Sequence, residues 1–139
     1  EENKSRSQAF FTVDDLTYLR RGGRISAVAA TVGTMLDLKP IITEGRNGKL
    51  LSTDKVRGRK QALRTLAELA AQNIDDPAEA EMYVLHADAP EDADRLAQLL
   101  REKIPGLGNI STRYVGPVIG AHCGPGTVAV CFFGKERPY

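Results

Sequence analysis

The sequence predicts a single α/β domain, a mixed β-sheet sandwiched or covered by helices, and three observations carry that expectation. A length of 139 residues makes one domain the default and lets folding bury roughly two thirds of the unfolded chain's surface. Apolar residues make up 42% and charged residues 27%, ordinary globular usage that excludes a disordered or fibrous chain. Strand-like runs alternate with helical periodicity, and at least one tight turn joins two strands, the pattern of a mixed sheet under helices rather than a barrel.

Each element follows in chain order. "QAFFTV" (8–13) reads as a short strand. In "DDLTYLRRGG", Asp14 is placed to cap a two-turn helix that Gly22 stops. Ile25, Val28, Ala29, Val32, Met35 and Leu36 then fall on one helical stripe, beside the small residues Ala27, Ala30 and Gly33. "KPIIT" and "KLLS" flank "EGRNG", whose Asn47-Gly48 pair suits a hairpin because both residues tolerate positive φ.

Ser52 to Asp54 offer caps for a helix to about Asn73, with Ala62, Leu63, Leu66, Leu69 and Ala70 on one side. "EMYVLHA" is a strand, and Pro90 opens a helix that carries Leu96, Leu99, Leu100 and Ile104 inward. "PGLGN" breaks the chain before "ISTRYVGPVIG", and "TVAVCFF" is the last strand, bounded by Gly134 and Pro138. The predicted order is β, α, α, β, β, α, β, α, β, β.

Charge and cysteine usage narrow the function classes. Nineteen Lys and Arg nearly balance eighteen Asp and Glu, so no global field draws the protein to nucleic acid or an anionic membrane. Two cysteines, Cys123 and Cys131, make no disulfide framework or zinc-ligand spacing, which fits a reducing cytoplasm. No apolar run reaches the roughly 18 residues of a membrane span. The amino end, "EENKSRSQAF", has no initiator Met and no signal-peptide pattern, and reads as the start of a fragment.

Four stretches could carry chemistry. "RRGGRIS" leaves Arg24 at the start of a helix, beside free backbone N–H groups and Ser26, which suits an anion; the alternative is a helix corner with a solvated arginine. "KVRGRKQALR" holds five basic residues and no acid. Drawn as a helix, it places Arg57, Lys60 and Arg64 within about 60° of one another, opposite Leu63, Leu66 and Leu69. That stripe is either a solvated face or a docking surface for an acidic protein partner; nucleic acid is disfavoured by the neutral chain and the lack of interleaved aromatics.

His86 closes a strand where α/β sheets often face a ligand crevice, although a lone histidine there is more often a hydrogen-bonded structural residue. "VGPVIGAHCGPGTVAV" (115–130) is the densest signal, since glycines and prolines make a stiff loop that holds His122 in place. A positioned imidazole can hydrogen-bond an anionic oxygen, relay a proton or bind metal, and metal is disfavoured because His86 is the only other histidine. A Cys123–His122 nucleophile is weak because neighbours on an extended chain point to opposite sides. The residues leave two readings open, a stiff structural turn and an anion-contacting site.

"LTYLRRGGRIS", "LKPIITEGRNGKL", "DKVRGRKQAL" and "GPVIGAHCGPGTVAVCFFG", in that order and spacing, resemble the carboxyl-terminal domain of the DegV family of bacterial fatty-acid-binding proteins, from about Phe10 to Phe133. The resemblance implies that residues 1–139 are one α/β domain, the carboxyl-terminal half of a two-domain protein that encloses a long-chain fatty acid. It implies a binding subunit rather than an enzyme, with no cofactor, no metal and no stable membrane insertion. That subunit would present the lipid carboxylate to a fatty acid kinase, which makes an acyl phosphate destined for phospholipid synthesis. By the same resemblance His122, in the H-x-G-P-G motif, would hydrogen-bond the carboxyl, Arg24 would lie at the same polar mouth, and Arg57 would dock the kinase. The alternatives are a protein-interaction module using the basic face, or a small-anion enzyme using His122 and Cys123.

Overall fold

The computed structural model describes residues 3–24, 26 and 37–139. Six strands form one sheet: β1 (Ser7–Thr12), β2 (Leu38–Glu44), β3 (Leu50–Arg57), β4 (Glu81–His86), β5 (Asn109–Tyr114) and β6 (Val128–Phe133). Their order across the sheet is β3-β2-β1-β6-β4-β5. Every neighbouring pair is antiparallel except β4 and β5, which run parallel. The α-helices described are α1 (Thr17–Arg21), α2 (Arg59–Asn73), α3 (Pro90–Lys103) and α4 (Pro117–Cys123). The helical stripe expected from Ile25 to Leu36 lies, apart from the exposed Ser26, outside the described residues.

One face of the sheet holds the main core. Period-two alternation turns Phe10, Met82, Val84, Val128, Val130 and Phe132 toward α2 and α3, where they meet Leu63, Leu66, Leu96 and Leu100. Each such side chain contributes about 1.5–3 kcal/mol by leaving water. On the opposite face the register aligns Ala9, Cys131 and Tyr83 in one row and Phe11, Ala129 and Leu85 in the next. A smaller cluster of Val13, Leu19, Ile42 and Cys123 is the packed part of that second face.

Several local expectations are corrected. Asp15, not Asp14, starts α1: its Oδ1 accepts from the Thr17 amide at 2.8 Å and the Thr17 hydroxyl at 2.7 Å. These bonds favour the carboxylate and hold the Asp15 pKa below its ordinary value. Asp14 instead pairs with Lys39 at 3.1 Å. In the hairpin only Gly48, not Asn47, has positive φ, at 75°. The Asn47 side chain accepts from the Lys49 amide, and the Gly48 amide bonds the Gly45 carbonyl.

The largest correction concerns the basic segment. β3 runs on to Arg57, because Lys55, Val56 and Arg57 pair with Pro40, Lys39 and Leu38 of β2. Gly58, at φ 82°, then turns the chain into α2. Arg57 therefore ends an edge strand, Lys60 and Arg64 lie on a helix, and the three do not form one helical stripe. The segment after β5 was expected to be a loop, yet residues 117–123 form α4, with Pro117 at the first helical position where its missing N–H costs nothing.

Candidate functional site

The two motifs around Arg24 and His122 are distant in sequence and interlocked in the fold. α4 carries His122 in its last turn and packs against α1. The His122 ring lies so close on Gly22 that a β-carbon there would overlap its Cδ2. The Tyr18 ring covers Gly124 in the same way, and Gly124 also has φ of 83°. A side chain at Gly22 would displace the His122 ring, and one at Gly124 would meet the Tyr18 ring from a strained backbone. Gly22 of "RRGG" and Gly124 of "HCGPG" therefore act as contact surfaces.

His122 Nδ1 lies 2.8 Å from the Val118 carbonyl one turn earlier. A carbonyl only accepts, so Nδ1 carries the hydrogen and Nε2 is the ring's remaining polar atom. The adjacent Cys123 is buried against Leu19 and Val13. α4 being a helix, the two side chains diverge by about 100° rather than the strand's opposite sides assumed from sequence. Burial raises the Cys123 thiol above its ordinary value, which disfavours the thiolate a nucleophile needs.

A cavity of about 370 Å³ opens on the second face of the sheet. Its floor is Ala9, Phe11, Leu85, Ala129 and Cys131, and its wall includes Leu19, Val115, Val118 and Ile119. The volume falls in the range of small-molecule sites, roughly 300–1,000 Å³. Among the described lining residues, Arg24 and His122 are the two that bring a cationic or titratable nitrogen. Arg24 is exposed and hands one guanidinium N–H to the Gly22 carbonyl, its other donors having no partner among the described residues. Val118 and Ile119 of α4 are 71% and 54% exposed, an apolar rim left bare among the described residues.

The other expected residues lie elsewhere. His86 is buried on the helix side, accepts from the Ala89 amide through Nδ1 at 3.2 Å, and meets the Tyr114 ring at a tilt with centroids 4.6 Å apart. It is the structural histidine expected of a lone one. Arg57 is exposed and does not line the cavity. Sequence reasoning missed Arg59, which pairs with Asp92 at 2.8 Å and donates to the Gly126 carbonyl, so that α2 and α3 are tied to the turn after His122. It also missed the floor residues, although the unbroken apolar run "VAVCFF" signals a strand with both faces covered.

Among the described residues, no helix is long and apolar enough to cross a membrane. Within the same residues, no group of three His, Cys, Asp or Glu could hold a metal.

Comparisons with known proteins agree with this architecture. The chain is 43% identical over 137 residues to a DegV domain-containing protein of Clostridium perfringens, covering 99% of this chain and 47% of that protein. It thus spans about half the length of the curated relatives it matches. It superposes with TM-score 0.83 on a fatty acid binding DegV family protein from Streptococcus agalactiae, 30% identical, covering 97% of this chain and 47% of the other. The TM-score is 0.72 for DegV, a fatty acid binding protein from Bacillus subtilis, 34% identical, with 96% and 47% covered. A family model described as "Uncharacterised protein, DegV family" matches residues 1–135, nearly the whole interlocked unit and sheet described above, and the chain belongs to the DegV family.

Proposed function

We propose that this chain forms one wall of a fatty-acid site, with the acyl chain against the open sheet face and the carboxylate at His122 and Arg24. The observation that carries the reading is the apolar cavity whose nitrogen-bearing groups are those two residues. Relatives at 30% and 34% identity are described as fatty acid binding, which supports the ligand class. Each buried methylene contributes about 0.8 kcal/mol, enough in sum to retain a long tail. The bare rim at Val118 and Ile119 fits closure by the other half of a two-domain protein, of which residues 1–139 would be the carboxyl-terminal half.

The finer role is presentation rather than catalysis. A fatty acid kinase would transfer phosphate from ATP to the carboxylate, and Arg24 with a His122 donor would stabilise the charge gathered there. Arg57, exposed at the end of an edge strand and clear of the cavity, is suited to docking that kinase without touching the lipid. The protein would work in the cytoplasm as a carrier without a cofactor of its own.

The test is lipid extraction and mass spectrometry of the full-length protein from a bacterial host, followed by kinase assays. Co-purified fatty acid and kinase-dependent acyl phosphate are expected. No bound lipid together with no phosphoryl transfer to added fatty acid would overturn the reading. Arg57→Glu should weaken kinase coupling about tenfold or more and leave lipid affinity within twofold, in line with loss of a charge-steered contact. Equal loss of lipid binding would sink the docking role.

A further inference from the structure

Resting on the fatty-acid reading above, we propose that His122 takes up a proton when a carboxylate binds, so that one proton is shared between its Nε2 and the ligand oxygen. The geometry requires a choice. Nδ1–H is committed to the Val118 carbonyl at 2.8 Å, so the neutral ring offers only a lone pair at Nε2. An ionised carboxylate is also acceptor-only, and two acceptors facing each other repel. The pair becomes attractive only with a proton between them, and a charge-assisted bond is then among the strongest a side chain makes.

The surroundings leave that proton to be brought by binding. The charged and titratable groups that line the cavity with the ring are Arg24, Cys123 and Cys131, with Tyr18 of α1 against the neighbouring Gly124. Among the described lining residues none is a carboxylate. The proton comes from water, and no other bond forms or breaks. The site thereby selects for a carboxyl head: a fatty alcohol, which brings its own O–H, would bond neutral Nε2 with no proton uptake.

The experiment is calorimetry of the full-length protein with a medium-chain fatty acid below its critical micelle concentration, in buffers of different ionisation enthalpy. A fatty alcohol of the same length serves as the second ligand. The wild type is expected to take up close to one proton per bound fatty acid near pH 8, with affinity falling roughly tenfold per pH unit above neutrality until the complex itself deprotonates. His122→Gln keeps a donor without titrating and should show no uptake and flat affinity, as should the alcohol with wild type. Nitrogen NMR of the ligand-free wild type needs no variant and should find His122 as the Nδ1–H tautomer. Fatty acid binding without proton uptake, or an Nε2–H tautomer, overturns this inference and leaves the fatty-acid reading standing. No binding of either ligand at any pH overturns that reading as well.

Discussion

The chain's two histidines, His86 and His122, sit on opposite faces of one sheet and use the same ring nitrogen, Nδ1, in opposite roles, as acceptor in His86 and donor in His122. His86 shares the inward alternation of Met82 and Val84, accepts from Ala89 through Nδ1, and is sealed under α3 beside Tyr114. His122 stands half-buried at a cavity mouth, donates from Nδ1 to Val118, and is held by contact with Gly22. In the first case Nδ1 is answered by local backbone and the ring is buried. In the second, one nitrogen is fixed and the ring lines an apolar cavity. Residue type is thus a poor guide to role; the partner of Nδ1 and the face of the sheet decide it.

The comparison breaks most visibly in stability. His86→Ala should cost about 3 kcal/mol, from a lost buried ring and an orphaned amide, read by urea denaturation, while His122→Ala stays within about 0.5 kcal/mol. Similar losses in both would mean that His122 is structural too. In fatty acid affinity the order reverses. His122→Ala should lose about 10- to 100-fold, the worth of a hydrogen bond to a charged group, whereas a folded His86 variant such as His86→Gln should change little.

Gly22→Ala sharpens the contrast at its weakest point. Gly22 has φ of −81°, so the backbone accepts alanine, and the close contact is the His122 ring. A displaced ring should lower affinity by roughly three- to tenfold with the helices intact, measured by the same titration. The smallest effect concerns Cys131, whose thiol burial pushes up to about 11 from 9.0. Above pH 9.0 the unfolded chain loses that proton first, so stability should fall as pH rises from there toward about 11. Thiol reagents near pH 8 should react slowly with folded protein and quickly after urea, and fast labelling of Cys123 would revive a nucleophilic role.

Much of this was legible in the sequence. Strands at "QAFFTV", "KPIIT", "EMYVLHA" and "TVAVCFF" and the helix opened by Pro90 follow from periodicity and breakers, since these depend on nearest neighbours. Arg24 and His122 could be picked out because glycine-rich corners beside a cation are few. The errors arose where tertiary contacts outweighed local signals. Ser52 to Asp54 look like caps, but pairing with β2 extends β3 to Arg57. "GPVIGAHC" looks like a loop, but packing against α1 supports a two-turn helix too short to stand alone.

By itself the sequence determined the α/β class, the hairpin, the helix-facing core and the two motifs worth watching, because alternation, turn chemistry and capping are written within a few residues. Only the tertiary structure decided that those motifs meet, that Arg57 leaves the helix for an edge strand, and which nitrogen of each histidine is engaged. The physical reason is range: a glycine's need to be bare depends on a ring about a hundred positions away, and no local pattern encodes that contact.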